Sequence, residues 1–319
     1  MPLNYTRTAL LLGLMTLLFV TVGYVLGGKT GMSIAFVLAL GMNLFSLFKS
    51  DTLVLRMHGA KQVDAQSGGD LYKIVQEMAK RAELPMPKVA IMQNPQPNAF
   101  ATGRNPENST VAASTGLLDM LSREEVAGVI AHELSHIKNR DTLTMTAAAS
   151  IGGAISMVAQ FLQFGALFGR GSGSRFGWLG FIFAALVAPF AAMLVQMAIS
   201  RSREYQADRM GAMITGHPEW LASALVKISE ASRRIRNPSA EAHRSSAHLF
   251  IVNPLAGRGG DSLFASHPSI ENRLAELKKL TEELEAKQGT ARGPAPNLNG
   301  ALFPDQGRGA RGTSTGPIS

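Results

Sequence analysis

The chain has 319 residues, enough for two domains and a sizeable core. Hydrophobic residues make up 46% and charged residues only 17%, against roughly 25% in a typical soluble domain, so a wholly soluble chain is disfavoured. There are 0 cysteines, which excludes a disulfide framework and a thiolate metal site; the formal charge is +8, yet interleaved aromatic and basic residues are missing, which argues against a nucleic-acid partner.

Residues 8–28 are uncharged and rich in Leu and Val, long enough to cross a bilayer core of ~30 Å. Arg7 precedes them. The run is long for a signal-peptide core and no A-x-A cleavage site follows, so it reads as a retained helix. A tight Gly27-Gly28-Lys29-Thr30-Gly31 turn leads into a second apolar run, residues 32–48, and the two predict a membrane hairpin rather than a buried soluble one. Lys49, Arg56 and Lys61 lie just beyond it, which by the positive-inside rule puts the N-terminus and everything after Phe48 in the cytoplasm. Part of the basic balance is thus topological, and the rest favours an anionic leaflet.

Residues 70–82 predict an amphipathic helix, with Leu71, Ile74, Val75 and Met78 on one side, ended by Leu84-Pro85-Met86-Pro87. Short strands are expected at 88–92, around 99–103 and at 109–114, separated by Pro- and Asn-rich turns. Together they predict a small sheet whose edge could pair with an extended peptide.

Ser122 and Glu125 read as a capping box, and Val126, Ile130, Leu134 and Ile137 form an apolar helical stripe. On that helix stands Ala131-His132-Glu133-Leu134-Ser135-His136, an H-E-x-x-H pattern. Residues four apart share a helix face, so both imidazoles can reach one metal ion, with Glu133 roughly 100° around the helix. Zinc so held keeps an open position for water, whose proton Glu133 can take.

Charge then vanishes again. Residues 142–169 and 176–200 are each long enough to span, joined by a Gly/Ser/Arg loop at 170–175; the competing reading is a hairpin buried against the soluble part. Directly after it, Glu204 and Asp208 lie four apart on one predicted helix face. Glu204 would complete a His2Glu zinc site, and Asp208, one turn on, could accept the free N–H of a zinc-bound imidazole. The plain alternative is a solvated charged run, with Arg201 or Arg203 pairing with Glu204. Further helices are predicted after Pro218, with Trp220, Leu221, Leu225 and Ile228 on one face, and over 268–287.

In these stretches the sequence resembles the HtpX family of membrane-bound zinc endopeptidases, distant relatives of the CAAX prenyl proteases. The resemblance is carried by residues 98–103, by the H-E-x-x-H stretch with Asn139-Arg140-Asp141, by residues 200–208, and by 248–255 and 266–274. It implies a mainly α integral membrane protein with two transmembrane hairpins (four spans) and a cytoplasmic α+β zincin-like domain of the gluzincin kind with a small sheet. It implies zinc, one per chain, on His132, His136 and Glu204, with Glu133 as general base. His267 would stand near the scissile carbonyl, where an extra donor suits the charge developing on oxygen. The strand beginning Asn98-Ala99-Phe100 would line the substrate cleft. The implied setting is a bacterial inner membrane, where damaged or misfolded membrane proteins are cleaved as part of a stress response.

The expected organisation is a membrane hairpin at 1–48, the first half of the catalytic domain at 49–141, a second hairpin at 142–200, the second catalytic half at 201–287, and a disordered Gly/Pro-rich tail at 288–319. Two other functions fit parts of the sequence: a prenyl-protein processing protease, and a membrane scaffold or transporter subunit with a structural metal. The first calls for more spans than this chain offers, the second for a fourth protein ligand.

Overall fold

Two glycines divide the first helical stretch of the computed structural model, which describes residues 2–149, 152, 201–253 and 268–288. Helix α1, Pro2–Met57, is broken at Gly27 and Gly28; Gly28 has φ 57° and ψ −145°, a conformation open essentially to glycine alone. The two halves lie side by side, with the Asn43 amide donating to Thr16 Oγ1 at 2.9 Å and to the Leu12 carbonyl at 3.3 Å. Gly27–Met57 is long and apolar enough to cross a membrane, and Phe36, Val37, Leu38 and Phe48 stand exposed on it. At 1.5 Å per residue its 31 residues reach about 46 Å, more than a bilayer core requires. The helix therefore continues past Phe48, and its end is anchored on the sheet by Val54, which packs with Phe100 and Phe250.

A four-stranded mixed sheet follows: β1 Ala60–Val63, β2 Lys88–Met92, β3 Ala99–Asn105 and β4 Asn108–Ser114, in the order β1-β2-β4-β3. β1 pairs antiparallel with β2 (Lys61↔Ile91), β2 parallel with β4 (Val89↔Val111), and β3 antiparallel with β4 (Phe100↔Ala112). β1 is a strand that sequence patterning misses, since its Lys61 and Gln62 are exposed and it has too few apolar residues to show a period. Side chains alternate between the faces. Val89, Ala99, Ala101, Val111 and Ala113 pack on the helical body, while Ala90, Met92, Phe100 and Ala112 face Val54, Met145 and Phe250. Burial on both faces explains why β3 and β4 read as nearly continuous small or apolar runs.

Helix α2, Gly69–Arg81, buries Leu71, Ile74, Val75 and Met78 against the first face. After the short α3, Thr115–Met120, helix α4 runs from Arg123 to Lys138. Its capping box is complete: Ser122 Oγ accepts from the Glu125 N–H, and the Glu125 carboxylate accepts from the Ser122 N–H. α4 is buried from Glu125 to Ile137 because helices cover it on several sides. Helix α5, residues 141–149, then passes between the N-terminal hairpin and the sheet. Its buried hydroxyls are paired across those contacts, Thr144 with Thr8 at 2.8 Å and Thr146 with Thr102 at 3.0 Å.

Helix α6, Arg201–Thr215, lies along α4; α7, Pro218–Arg234, packs on both; and α8, Pro238–Ala242, leads through a 3-10 turn to Phe250. Helix α9, Ile270–Gln288, closes the body against α6 and α7. Most of the second predicted hairpin, the Gly/Pro-rich tail beyond residue 288 and His267 lie outside the described residues.

Candidate metal centre

α4 carries its His-Glu-x-x-His residues inward. His132 is 0% exposed, Glu133 2% and His136 4%, and from α6 Glu204 at 3% and Asp208 at 1% meet them. The close approach depends on Gly211 of α6, where a Cβ would lie 2.9 Å from the His132 nitrogen.

Three ligand atoms converge. His132 Nε2 and His136 Nε2 are 3.3 Å apart, and the Glu204 carboxylate is 3.8 Å from the first and 3.6 Å from the second. A tetrahedron with zinc–ligand bonds of ~2.1 Å has edges of ~3.4 Å, so the set nearly fits before any ion is present. His132, His136 and Glu204 form a cluster whose ligand atoms all lie within 4.8 Å of one another.

The far side of each imidazole is also occupied. His132 Nδ1 is 2.9 Å from Asp208 Oδ1, and His136 Nδ1 is 3.3 Å from Asp141 Oδ2. Carboxylates only accept, so both Nδ1 atoms carry a proton, and with both imidazoles neutral the two Nε2 lone pairs lie beside the Glu204 carboxylate. Three buried lone-pair donors facing one another repel unless a cation lies between them. The donor set therefore suits zinc.

In the metal-free site a proton supplies the positive charge that the donor set calls for. Burial disfavours the charged form of His136, but its bond to Asp141 and the charges of Glu204 and Glu133 outweigh burial and raise it to about 9. Burial lowers His132, and the Asp208 partner only partly offsets this. Burial raises Glu133 to about 7, opposed by His136 and by the Ala101 N–H, which donates to its carboxylate from the edge strand β3. Burial also opposes charge on Asp208, yet the Arg273 guanidinium holds its carboxyl below the usual range.

Asn98, Ala99 and Phe100 are 0% exposed. The Asn98 amide donates to the Val252 carbonyl at 2.9 Å, and the Phe100 ring stands edge-on to Phe250 with centroids 5.5 Å apart. These side chains are committed to the interior, and what β3 brings to the metal centre is backbone, through Ala101. Arg203 is buried and 3.4 Å from Asp141. Arg203 is thus not part of a solvated surface run, and meets Asp141 in the interior. The remaining described histidines serve elsewhere: His58 bonds to Ser239 and Ser246, with His243 edge-on to its ring, His248 bonds to the Met145 carbonyl, and His217 stacks on Trp220.

Sequence reasoning gave no role to Asp141 or Arg273, although both fall inside stretches that carry the family resemblance. An arginine in a helix of otherwise ordinary amphipathic pattern reads as solvated, and nothing local marks Arg273 as 0% exposed.

Helix-borne His-Glu-x-x-His, a third ligand from a neighbouring helix and a buried carboxyl beside them define a zinc metallopeptidase centre. The chain belongs to peptidase family M48, whose model matches residues 65–281, the span holding every residue of the centre. A crystal structure of S. mikatae Ste24p is similar at 18% identity with a TM-score of 0.49, covering 83% of this chain; the match spans 62% of the Ste24p chain.

Proposed function

We propose that the chain is a membrane-anchored endopeptidase of the HtpX kind, which hydrolyses peptide bonds in misfolded or damaged membrane proteins presented at the bilayer surface. The observation that carries it is Glu133: a buried carboxyl outside the three-ligand metal set and directly beside it in the helix. A structural zinc calls for four protein ligands, and among the described residues the cluster has three.

Zinc held by His132, His136 and Glu204 would supply Lewis acidity toward the attacking water and the scissile carbonyl. Glu133 would take the proton of the attacking water and return it to the departing amine nitrogen, accepting as a carboxylate and donating as the acid so formed. Asp208 holds His132 in its Nδ1–H form, so that Nε2 stays a lone-pair donor. An extended substrate would lie along the part of edge strand β3 beyond Ala99, whose carbonyl already accepts from Ile251.

The exposed apolar hairpin of α1 supports membrane anchoring, and the basic residues after Phe48 support a cytoplasmic catalytic body. Residues 142–169 and 176–200 form the second pair of four spans in this reading, with the site assembled from chain segments on either side of them. A bacterial inner membrane and a stress-response role complete it.

The test is casein cleavage by the detergent-purified chain, wild type against Glu133→Gln, with zinc content measured for both. About one zinc per chain in each protein, with cleavage lost by orders of magnitude in the variant, supports the reading. Zinc bound by both and casein cut by neither favours a structural metal and overturns it.

A further inference from the structure

Arg273 on α9 is 0% exposed and makes three hydrogen bonds. Its Nε donates to Asp208 Oδ2 at 2.8 Å, one Nη to Asp208 Oδ1 at 2.6 Å, and the other Nη to the Ile251 carbonyl at 2.9 Å. Asp208 Oδ1 is the oxygen that also receives the His132 Nδ1 proton, at 2.9 Å. Arg273 approaches the same ring nitrogen at 3.5 Å, but both atoms carry hydrogen, so the guanidinium acts on His132 through the carboxylate.

We propose that Arg273 is a positioning residue for the metal centre: its fork locks both oxygens of Asp208, and the locked carboxylate fixes the orientation in which His132 offers Nε2 to zinc. A carboxylate held through one oxygen can rotate about its last bond. Held through both by a rigid planar fork, it cannot. The third bond, to Ile251, fixes the fork itself, and the Ile251 N–H bonds in turn to the Ala99 carbonyl of β3 at 3.1 Å. A chain of bonds thus runs from His132 through Asp208, Arg273 and Ile251 to the sheet edge. The other imidazole has a looser arrangement, with Asp141 at 3.3 Å from His136 and Arg203 at 3.4 Å from Asp141. Dependence on a guanidinium should therefore be strongest at His132.

The inference rests on the zinc site and not on cleavage, so its test reads metal binding. The full chain in detergent is stripped of metal. Zinc affinity is then measured by chelator competition, cobalt(II) absorption reports ligand geometry, and thermal unfolding of the metal-free protein reports folding. Arg273→Lys keeps a positive charge beside Asp208 but loses the fork. It should unfold near the wild-type temperature, bind zinc ~10- to 100-fold more weakly and shift the cobalt spectrum. Arg273→Gln should lose at least as much affinity, and Asp208→Asn/Arg273→Gln should match Asp208→Asn alone, because Arg273 acts only through that carboxylate. Should Arg273→Gln alone not fold, the lysine variant and the neutral pair still decide the matter. A folded Arg273→Lys with wild-type zinc affinity and cobalt spectrum assigns Arg273 to fold stability and overturns the proposal. So does a double variant weaker than Asp208→Asn by the full Arg273→Gln increment. Failure of casein cleavage leaves these outcomes untouched, so the two readings fall separately.

Discussion

Gly211→Ala tests whether the separation of α4 and α6 sets the metal site. A Cβ at Gly211 would stand 2.9 Å from the His132 nitrogen, 3.0 Å from its Cα and 3.2 Å from the Ala131 carbonyl carbon. Heavy atoms at their van der Waals optimum are ~3.5–4.0 Å apart, so about 0.5–1 Å must be found. All three neighbours are backbone of a helix buried on several sides, so no flexible side chain can yield the space. α6 must move away, and it carries Asp208 about one turn and Glu204 about two turns from Gly211. The Glu204 contacts, at 3.6 and 3.8 Å, are already slightly longer than the ~3.4 Å tetrahedral edge, so further withdrawal of α6 draws the carboxylate away from the metal position. The stability terms partly cancel: alanine gains up to ~1 kcal/mol of helix propensity, and overpacking costs ~1–3 kcal/mol. The variant should therefore fold with a modestly lower metal-free unfolding temperature and bind zinc at least ~10-fold more weakly by chelator competition. Unchanged zinc affinity with a raised unfolding temperature would refute the argument, since the helices would then have had room to spare.

Ser122→Ala removes the cap of α4 without touching the metal ligands, and should cost about 1 kcal/mol in thermal unfolding while leaving zinc affinity intact. For pH, His136 has an ordinary value of 6.5 and a metal-free folded value of about 9. The raised basic group contributes stability that is fully present below 6.5 and is lost as pH rises through about 9, so the metal-free unfolding temperature should fall across that window. Zinc requires the neutral imidazole; calorimetry in two buffers of different ionisation enthalpy at about pH 7.5 should detect proton release on binding, and its absence would contradict this charge state. Chelation should lower the unfolding temperature of wild type, with zinc restoring it, and the same shift should appear in Glu133→Gln, since Glu133 is not a ligand.

The sequence alone determined the elements whose signals are local. Ser122 and Glu125 announce the start of α4, the stripe from Val126 to Ile137 gives its period, and His132 and His136 share a face because four residues make about one turn. Lack of cysteine limited the ligands to histidine and carboxylate, and two uninterrupted apolar runs around Gly27-Gly28 foretold the hairpin. Glu204 and Asp208 were legible too, four apart on one predicted helix face, and only the tertiary structure decided what holds these residues in place. Asp141 belongs to the centre because the chain turns after α4 and brings the start of α5 back to His136, and Arg273 because the start of α9, 65 residues beyond Asp208, packs beside it; no periodicity encodes either contact. The same reason explains β1, whose pairing with β2 outweighs its poor pattern, and the extension of α1 to Met57, where packing of Val54 on Phe100 carries the helix beyond the apolar run. A buried charge has no sequence signature of its own: Arg273 is stable inside only because Asp208 is already there to meet it.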